Sequence, residues 1–337
     1  MLLPFAQPLQ ASTATARSQA YGAAHSGVSP ADTQSFHEQG FLVVPELCNA
    51  AELQSIRSTL KHLFARHAGR DEGNQFDMLS LDHNERDSIQ PQIVNPSWYA
   101  PSLLRTQYFR RVQAMAHQLL GKDAQFSFDH SILKPAGKIA ATPWHQDEAH
   151  VRDEQGRCEQ ISFWMPLQDV SEANGCMRYV PGSNRGAVLP HQSPGDDPRV
   201  HALECPTRYF DESSALAQPV AAGTCILHTG RTLHSALPNR TDADRLVYVI
   251  VFRTPPLAHT DSMPFTWLDT KRTAALERKL RWRYRGGVAV LVMRWVRRML
   301  FADLRTLSFK LMKKVARTRT RSRTGWPGLP WSSSGTM

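Results

Sequence analysis

Long apolar runs are scarce in this sequence. Among its 337 residues, the longest uncharged apolar stretch near the C-terminus is about Gly286 to Met293. A membrane-spanning helix needs roughly 20 such residues, so no span is expected. The opening stretch MLLPFAQPLQASTATARSQAYGAAHSG has no basic start and no acids, and Pro4 and Pro8 break its apolar part. It makes a poor signal peptide, and residues 1–30 are expected to form a disordered leader. Cysteine is also sparse. Cys48, Cys158, Cys176, Cys205 and Cys225 are odd in number, scattered and without a CxxC pair. That argues against a disulfide framework and a zinc ribbon, and favours reduced, buried thiols in a cytoplasmic protein. No internal repeat is visible.

Charge is plentiful but uneven. Lys271 to Arg323 holds 18 Lys/Arg against Glu277 and Asp303, a local balance of +16. The chain totals +10, so the remainder carries −6. The overall basicity therefore belongs to the C-terminal tail and says little about the partners of the body.

The body begins with helical patterning. DTQSFHEQGFLVVPEL reads as a short helix followed by a strand at Phe41–Val44. Asn49 is placed to cap a helix running to about His67, with Leu53, Ile56, Leu60 and Phe64 on one face. Residues 69–98 read as polar and irregular. A second long helix is expected from Ser102 to Leu120, ending at Gly121. From there the period becomes extended, with strands expected at 124–134, 158–167, 177–183, 223–228 and 245–254, separated by turns such as KPAGK, EANG and PGSN. Helices followed by many short strands imply a β-sandwich or barrel with helices packed on one face. Residues 185–220 read as a long insertion, either a lid over a site or a surface loop.

The chemistry starts at TPWHQDEAH (142–150). A His-x-Asp pair is weak by itself, since 14 histidines supply on the order of one such pair by chance. His83-Asn-Glu85 has similar spacing but no strand signal around it. His145 follows an extended segment, and on an extended backbone residues i and i+2 point the same way. His145 and Asp147 could thus converge, with Gln146 facing away. A third ligand should come from a neighbouring strand, and HTGRTLHSALPNRTDADR (228–245) offers His228 and His234. Two histidines and one carboxylate on one face of a metal leave positions open, the arrangement of non-heme Fe(II) oxygenases. Zinc would favour a closed set of four ligands. Arg245 can present a planar fork to a carboxylate.

TPWHQD, FWMPLQDVSEANGCMRYVPGSN and HSALPNRTDADR together resemble the phytanoyl-CoA dioxygenase family of Fe(II)/2-oxoglutarate oxygenases. The likeness runs from about Phe36 to Thr254 and includes FHEQGFLVVPEL and the KPAG turn at Lys134–Gly137. In that family an Asn follows the third ligand at five positions and an Arg at eleven. His234 has Asn239 and Arg245 at those offsets, whereas His228 does not fit. The resemblance implies a mostly β fold with flanking helices and a double-stranded β-helix (jelly-roll, cupin-like) core over residues 31–265. It implies Fe(II) held by His145, Asp147 and His234, with O2 and 2-oxoglutarate as co-substrates and Arg245 on the distal carboxylate of the latter. It also makes Trp164 and Lys134 candidates for lining the co-substrate pocket, against a core aromatic and a solvated turn residue respectively. The implied reaction hydroxylates an unactivated C–H of a small organic, lipid-like or carrier-bound substrate, releasing succinate and CO2. Desaturation and cyclisation are open to the same ligands. So is a non-catalytic jelly roll acting through its tail. An aspartate at position 147 disfavours halogenation, which needs a small residue there.

Two departures from the family pattern stand out. PGSH is here Pro181-Gly182-Ser183-Asn184, which affects a loop and not the iron. The serine often found two residues after the third ligand is Ala236, with Ser235 beside it, so one hydroxyl contact is lost or shifted. His150 and Glu148 lie where substrate contacts or a solvated loop could be.

Residues 266–337 lie beyond the resemblance and read as a basic amphipathic helical tail with a disordered end. Between Val288 and Lys314, Arg294, Arg297, Arg298 and Arg305 fall near one face, and Val292, Trp295, Val296 and Met299 mostly on the other. Such a segment suits peripheral membrane contact through residues 286–314, an acidic partner, or simple packing with its basic face in water. Nucleic acid is not the expected partner, and nothing in the sequence marks an oligomeric state.

Overall fold

The computed structural model describes residues 27–83, 88–151, 158–256 and 265–293, with residue 296. The expected leader up to residue 26 and the tail beyond residue 296 lie outside the described residues. The chain divides into two compact units, residues 1–281 and 282–337. Within the first unit, side chains beyond residue 265 are tied down. Trp267 Nε1 donates to the Ala149 carbonyl at 3.0 Å, Lys271 Nζ to those of Val200 and Ala202, and Arg278 pairs with Asp82. In the second unit, residues 288–293 are helical.

The described residues of the first unit form a mostly β, jelly-roll fold of eleven strands in two antiparallel sheets. In chain order they are β1 (Phe41–Val44), β2 (Gln75–Asp77), β3 (Pro91–Val94), β4 (Gln125–Lys134), β5 (Thr142–His145), β6 (Gln160–Pro166), β7 (Met177–Tyr179), β8 (Leu216–Gln218), β9 (Cys225–Thr229), β10 (His234–Ala236) and β11 (Arg245–Arg253). The large sheet has the order β1-β9-β6-β11-β4-β3-β2 and the small one β5-β10-β7-β8.

Helices cover one face of the large sheet: α1 (Pro30–Gln39), α2 (Ala50–Ala65) and α3 (Gln107–Leu120), with α4 (Ala274–Trp282) near the end of the first unit. The Asn49 side chain caps α2 by accepting from Glu52 N, as its position in the sequence implies. α3 starts later than Ser102. Pro101–Arg105 forms a 3-10 turn, and Thr106 then caps the helix by accepting from Phe109 N at 3.1 Å. Ile56, Leu60 and Leu63 of α2 and Tyr108, Val112 and Met115 of α3 pack on Phe163, Tyr248, Ile250 and Phe252 of the sheet.

The residues missed by periodicity are short strands in polar surroundings. β2 and β3 lie inside the stretch 69–98 that reads as irregular. What orders it is Asp77, whose carboxylate accepts from the Leu79, Ser80, Ile89 and Gln90 amides and from Ser88 Oγ, all at 2.7–2.8 Å. β8, inside the 185–220 insertion, is held by pairing with β7.

Alternation along the central strands places the site. On β11, Leu246, Tyr248, Ile250 and Phe252 face the helices, while Val247, Val249 and Val251 face the small sheet. Arg245 and Arg253 share the parity of that inner row and lie at its two ends. On β6 the inner row is Gln160, Ser162 and Trp164.

Candidate metal centre

His145 is the last residue of β5 and His234 the first of β10, and the antiparallel ladder sets them directly opposite. Their rings are 4.2 Å apart between centroids. Asp147 follows β5 in a 3-10 turn. One nitrogen of each histidine and one Asp147 oxygen lie within 4.8 Å of one another. Asp147 Oδ1 is 3.8 Å from His145 Nε2 and 3.7 Å from His234 Nε2. Gln146 turns the other way, donating to the Arg231 carbonyl at 2.7 Å and accepting from Leu189 N.

Each histidine is pre-set as a ligand. His145 Nδ1 is 2.8 Å from the Pro143 carbonyl and His234 Nδ1 is 2.8 Å from that of Thr232. A carbonyl only accepts, so the proton is on Nδ1 and the Nε2 lone pair faces the centre. Burial, above all, lowers both imidazole pKa values, so both are neutral at pH 7. Burial pushes the Asp147 carboxyl up, but a hydrogen bond from His228 and the imidazoles of His234, His228 and His145 outweigh it. The group sits well below the usual carboxylate range and is ionised. Two neutral imidazoles and one carboxylate suit a divalent iron with open positions.

The ligand set borders a cavity of about 210 Å³ that also reaches Trp164 and Arg245. Arg245 is 2% exposed, and its Nε and Nη1 find no acceptor among the described residues. Its guanidinium stands 5.7 Å over the Trp164 ring. Burial lowers its pKa to about 9, so it is still a cation at pH 7. A buried cation with unpaired donors on a cavity wall is suited to an anion.

Residues 36–247 match the phytanoyl-CoA dioxygenase family. The chain belongs to that family. As a member it is a 2-oxoglutarate-dependent, non-heme iron dioxygenase. Among solved structures it is similar to EvdO2 of Micromonospora carbonacea var. aurantiaca in complex with 2-oxoglutarate, at 32% identity and a TM-score of 0.61, covering 72% of this chain and 97% of that one. Among characterised sequences it is similar to a probable alpha-ketoglutarate-dependent hypophosphite dioxygenase of Stutzerimonas stutzeri (24% identical, 64% of this chain and 76% of the relative). It is also similar to the ectoine dioxygenase of Halomonas elongata (26%, with 65% and 68% covered).

The dioxygenase differs from the sequence expectation at Lys134. Its side chain is buried but does not line the cavity. Nζ donates to the carbonyls of Ala140 and Ala236 at 3.2 Å and of Leu237 at 2.8 Å, which uses all three of its protons. Lys134 is thus not a solvated turn residue, and its amine clamps the backbone around β10. Asn239 has a related role, with Nδ2 bridging the Lys134 and Ala243 carbonyls just before Arg245. Trp164 does line the cavity. Ala236 lines the cavity and Ser235 does not. Asn184 donates to the His37 carbonyl at 3.0 Å, away from the cavity.

His150 lines the cavity, whereas Glu148 is paired with Arg231 at 2.7 Å. His83 is exposed, and Glu85 lies outside the described residues. Sequence reasoning missed Ser162 and Gln160, whose side chains donate to Asp147 Oδ2 at 2.6 and 3.2 Å, and also His130, His201 and Gln90 along the cavity wall. The available signal was two polar residues, two apart, on the inner row of an otherwise apolar strand.

Proposed function

We propose that the protein hydroxylates an unactivated C–H of a small organic, lipid-like or carrier-bound substrate, with iron on His145, Asp147 and His234 and 2-oxoglutarate anchored by Arg245. The observation that carries this reading is the unpaired, buried guanidinium of Arg245 in the cavity that the three ligands border. Bound iron with 2-oxoglutarate and O2 supplies the oxidation: the co-substrate becomes succinate and CO2, one oxygen atom enters succinate and the other the substrate.

The chain's own residues do the rest. The Pro143 and Thr232 carbonyls fix the ligand tautomers. Arg245 binds the distal carboxylate of the co-substrate, and Trp164 walls that end. Ile132, Val249 and Val251 keep the inner wall apolar and exclude water. The test is succinate formation from 2-oxoglutarate under O2, dependent on added Fe(II). The wild type should show slow turnover even without substrate, and Asp147→Ala should show none. No succinate from the wild type would favour a non-catalytic jelly roll acting through its tail, and equal amounts from both proteins would place the turnover outside this site. With a substrate in hand, gain of one oxygen atom supports hydroxylation, and loss of two hydrogens identifies desaturation or ring closure.

For the tail we propose contact with an anionic lipid surface. In the second unit Tyr284, Val288, Val292 and Met293 are 97%, 54%, 52% and 63% exposed, in a strongly basic stretch. Phosphatidylserine vesicles should sediment the full chain, and Val288→Asp with Val292→Asp should stop it. A wild type that stays in the supernatant refutes the contact.

A further inference from the structure

Asp147 is held unevenly. Its Oδ1 lies 3.8 and 3.7 Å from the Nε2 atoms of His145 and His234, while Oδ2 meets a set of donors. Ser162 Oγ donates to Oδ2 at 2.6 Å and Gln160 Nε2 at 3.2 Å. A third group, His228 Nε2, lies 3.4 Å from the same oxygen. His228 is buried, and its Nδ1 is 3.1 Å from the Tyr179 hydroxyl. Tyr179 is itself buried and stacked on Phe41 at 4.6 Å.

Backbone register explains the convergence. His228 of β9 pairs with Ser162 of β6, so two of the three donors emerge side by side on the inner face. Tyr179 of β7 pairs with His234 of β10, which brings its hydroxyl across from the small sheet. An ionised carboxylate only accepts, so His228 carries its proton on Nε2. In the singly protonated ring Nδ1 then accepts from the Tyr179 hydroxyl.

We propose that Tyr179 and His228 form a positioning relay that, with Ser162 and Gln160, keeps Asp147 a one-oxygen ligand. Turning Oδ2 away from these groups would give up the short bond from Ser162 and the longer contacts to Gln160 and His228, all to a charged acceptor. With Oδ2 held back, the carboxylate would offer a bound metal one oxygen and would leave room for 2-oxoglutarate and O2 together. His228 is thereby a positioning residue and not a fourth ligand, since its Nε2 addresses Oδ2, the oxygen that Ser162 and Gln160 hold. The inference rests on the iron site proposed above.

The experiment is an anaerobic titration of Fe(II)-loaded protein with 2-oxoglutarate, followed by visible charge-transfer absorption, with apoprotein melting measured alongside. His228→Leu removes the donor and His228→Gln restores an N–H at the same reach. Tyr179→Phe keeps the ring and removes the hydroxyl. His228→Leu should melt close to the wild type yet need about tenfold to a hundredfold more Fe(II) or 2-oxoglutarate. His228→Gln should recover most of that loss, and Tyr179→Phe should show a smaller loss in the same direction. Wild-type titrations in both His228→Leu and Tyr179→Phe would overturn the relay while leaving the iron site intact. Loss of all metal in His228→Leu, as complete as in His234→Ala, would make His228 a ligand and also overturn it. If His228→Leu does not fold, Tyr179→Phe decides, and an unchanged titration refutes the proposal. A wild type with no absorption band would instead remove the iron site on which the proposal rests.

Discussion

Replacing Arg245 with methionine separates two effects that usually coincide. The guanidinium is buried, its Nε and Nη1 have no acceptor among the described residues, and burial lowers its pKa from 12.5 to about 9. At about 1.4 kcal/mol per unit, a cation there costs the folded apoprotein on the order of 3–5 kcal/mol. Methionine fills similar space without charge, so Arg245→Met should leave apoprotein stability unchanged or raise it, read as the urea midpoint at pH 7. Binding should move the other way. Removing one partner of a buried charge pair typically costs about 2–5 kcal/mol, which at 1.4 kcal/mol per decade is roughly 30-fold to several-thousand-fold in 2-oxoglutarate affinity. Anaerobic titration of the Fe(II) protein with 2-oxoglutarate measures it. A variant that binds within about threefold of the wild type, or an apoprotein that loses several kcal/mol, would refute the assignment of Arg245 as an anion anchor waiting for its partner.

Lys134→Met removes the donor shared by three carbonyls and should destabilise the fold by about 2–4 kcal/mol; an unchanged urea midpoint would show that the clamp is dispensable. Acid should weaken the apoprotein through its buried imidazoles. Burial lowers His201 to about 3 from 6.5, so between those values the unfolded chain binds a proton the native one does not. Stability contributed by neutral His201 is therefore present above pH 6.5 and falls as pH drops toward 3, at up to about 1.4 kcal/mol per pH unit. His201→Phe, which keeps a ring against Phe76, should flatten urea midpoints between pH 6.5 and 4.5. An equally steep profile would mean that His201 takes up its proton in the native state. Ser162→Ala removes the shortest donor to Asp147 and should weaken Fe(II) binding about tenfold or more, measured by competition with a chromophoric chelator.

What the sequence revealed follows the strength of each periodic signal. The long strands β4, β6 and β11 and the helices α2 and α3 are long enough for their patterns to exceed chance, and they sit within a few residues of where they read. The strands of three or four residues in polar stretches carry no such pattern. Their order comes from side chains such as Asp77, whose five hydrogen bonds cannot be anticipated from spacing. The candidate ligand set was legible because His145-x-Asp147 is local and because the family resemblance supplies the offsets from His234 to Asn239 and Arg245; the structure brings the three side chains together. Lys134 reads as a pocket candidate by resemblance or as a solvated turn residue, and its burial could not be anticipated because only the fold brings the Ala140, Ala236 and Leu237 carbonyls around it. His228 could be rejected as a ligand by offset, but its partners Asp147 and Tyr179 are distant in sequence, so nothing local pointed to their contact.

The most direct test of the central claim is anaerobic addition of Fe(II) and then 2-oxoglutarate to metal-free protein, with the visible spectrum recorded for the wild type and His234→Ala. The account predicts a charge-transfer band in the wild type that appears only with both components and is absent from the variant. A well-folded wild type with no band, or a band of equal strength in His234→Ala, would contradict it.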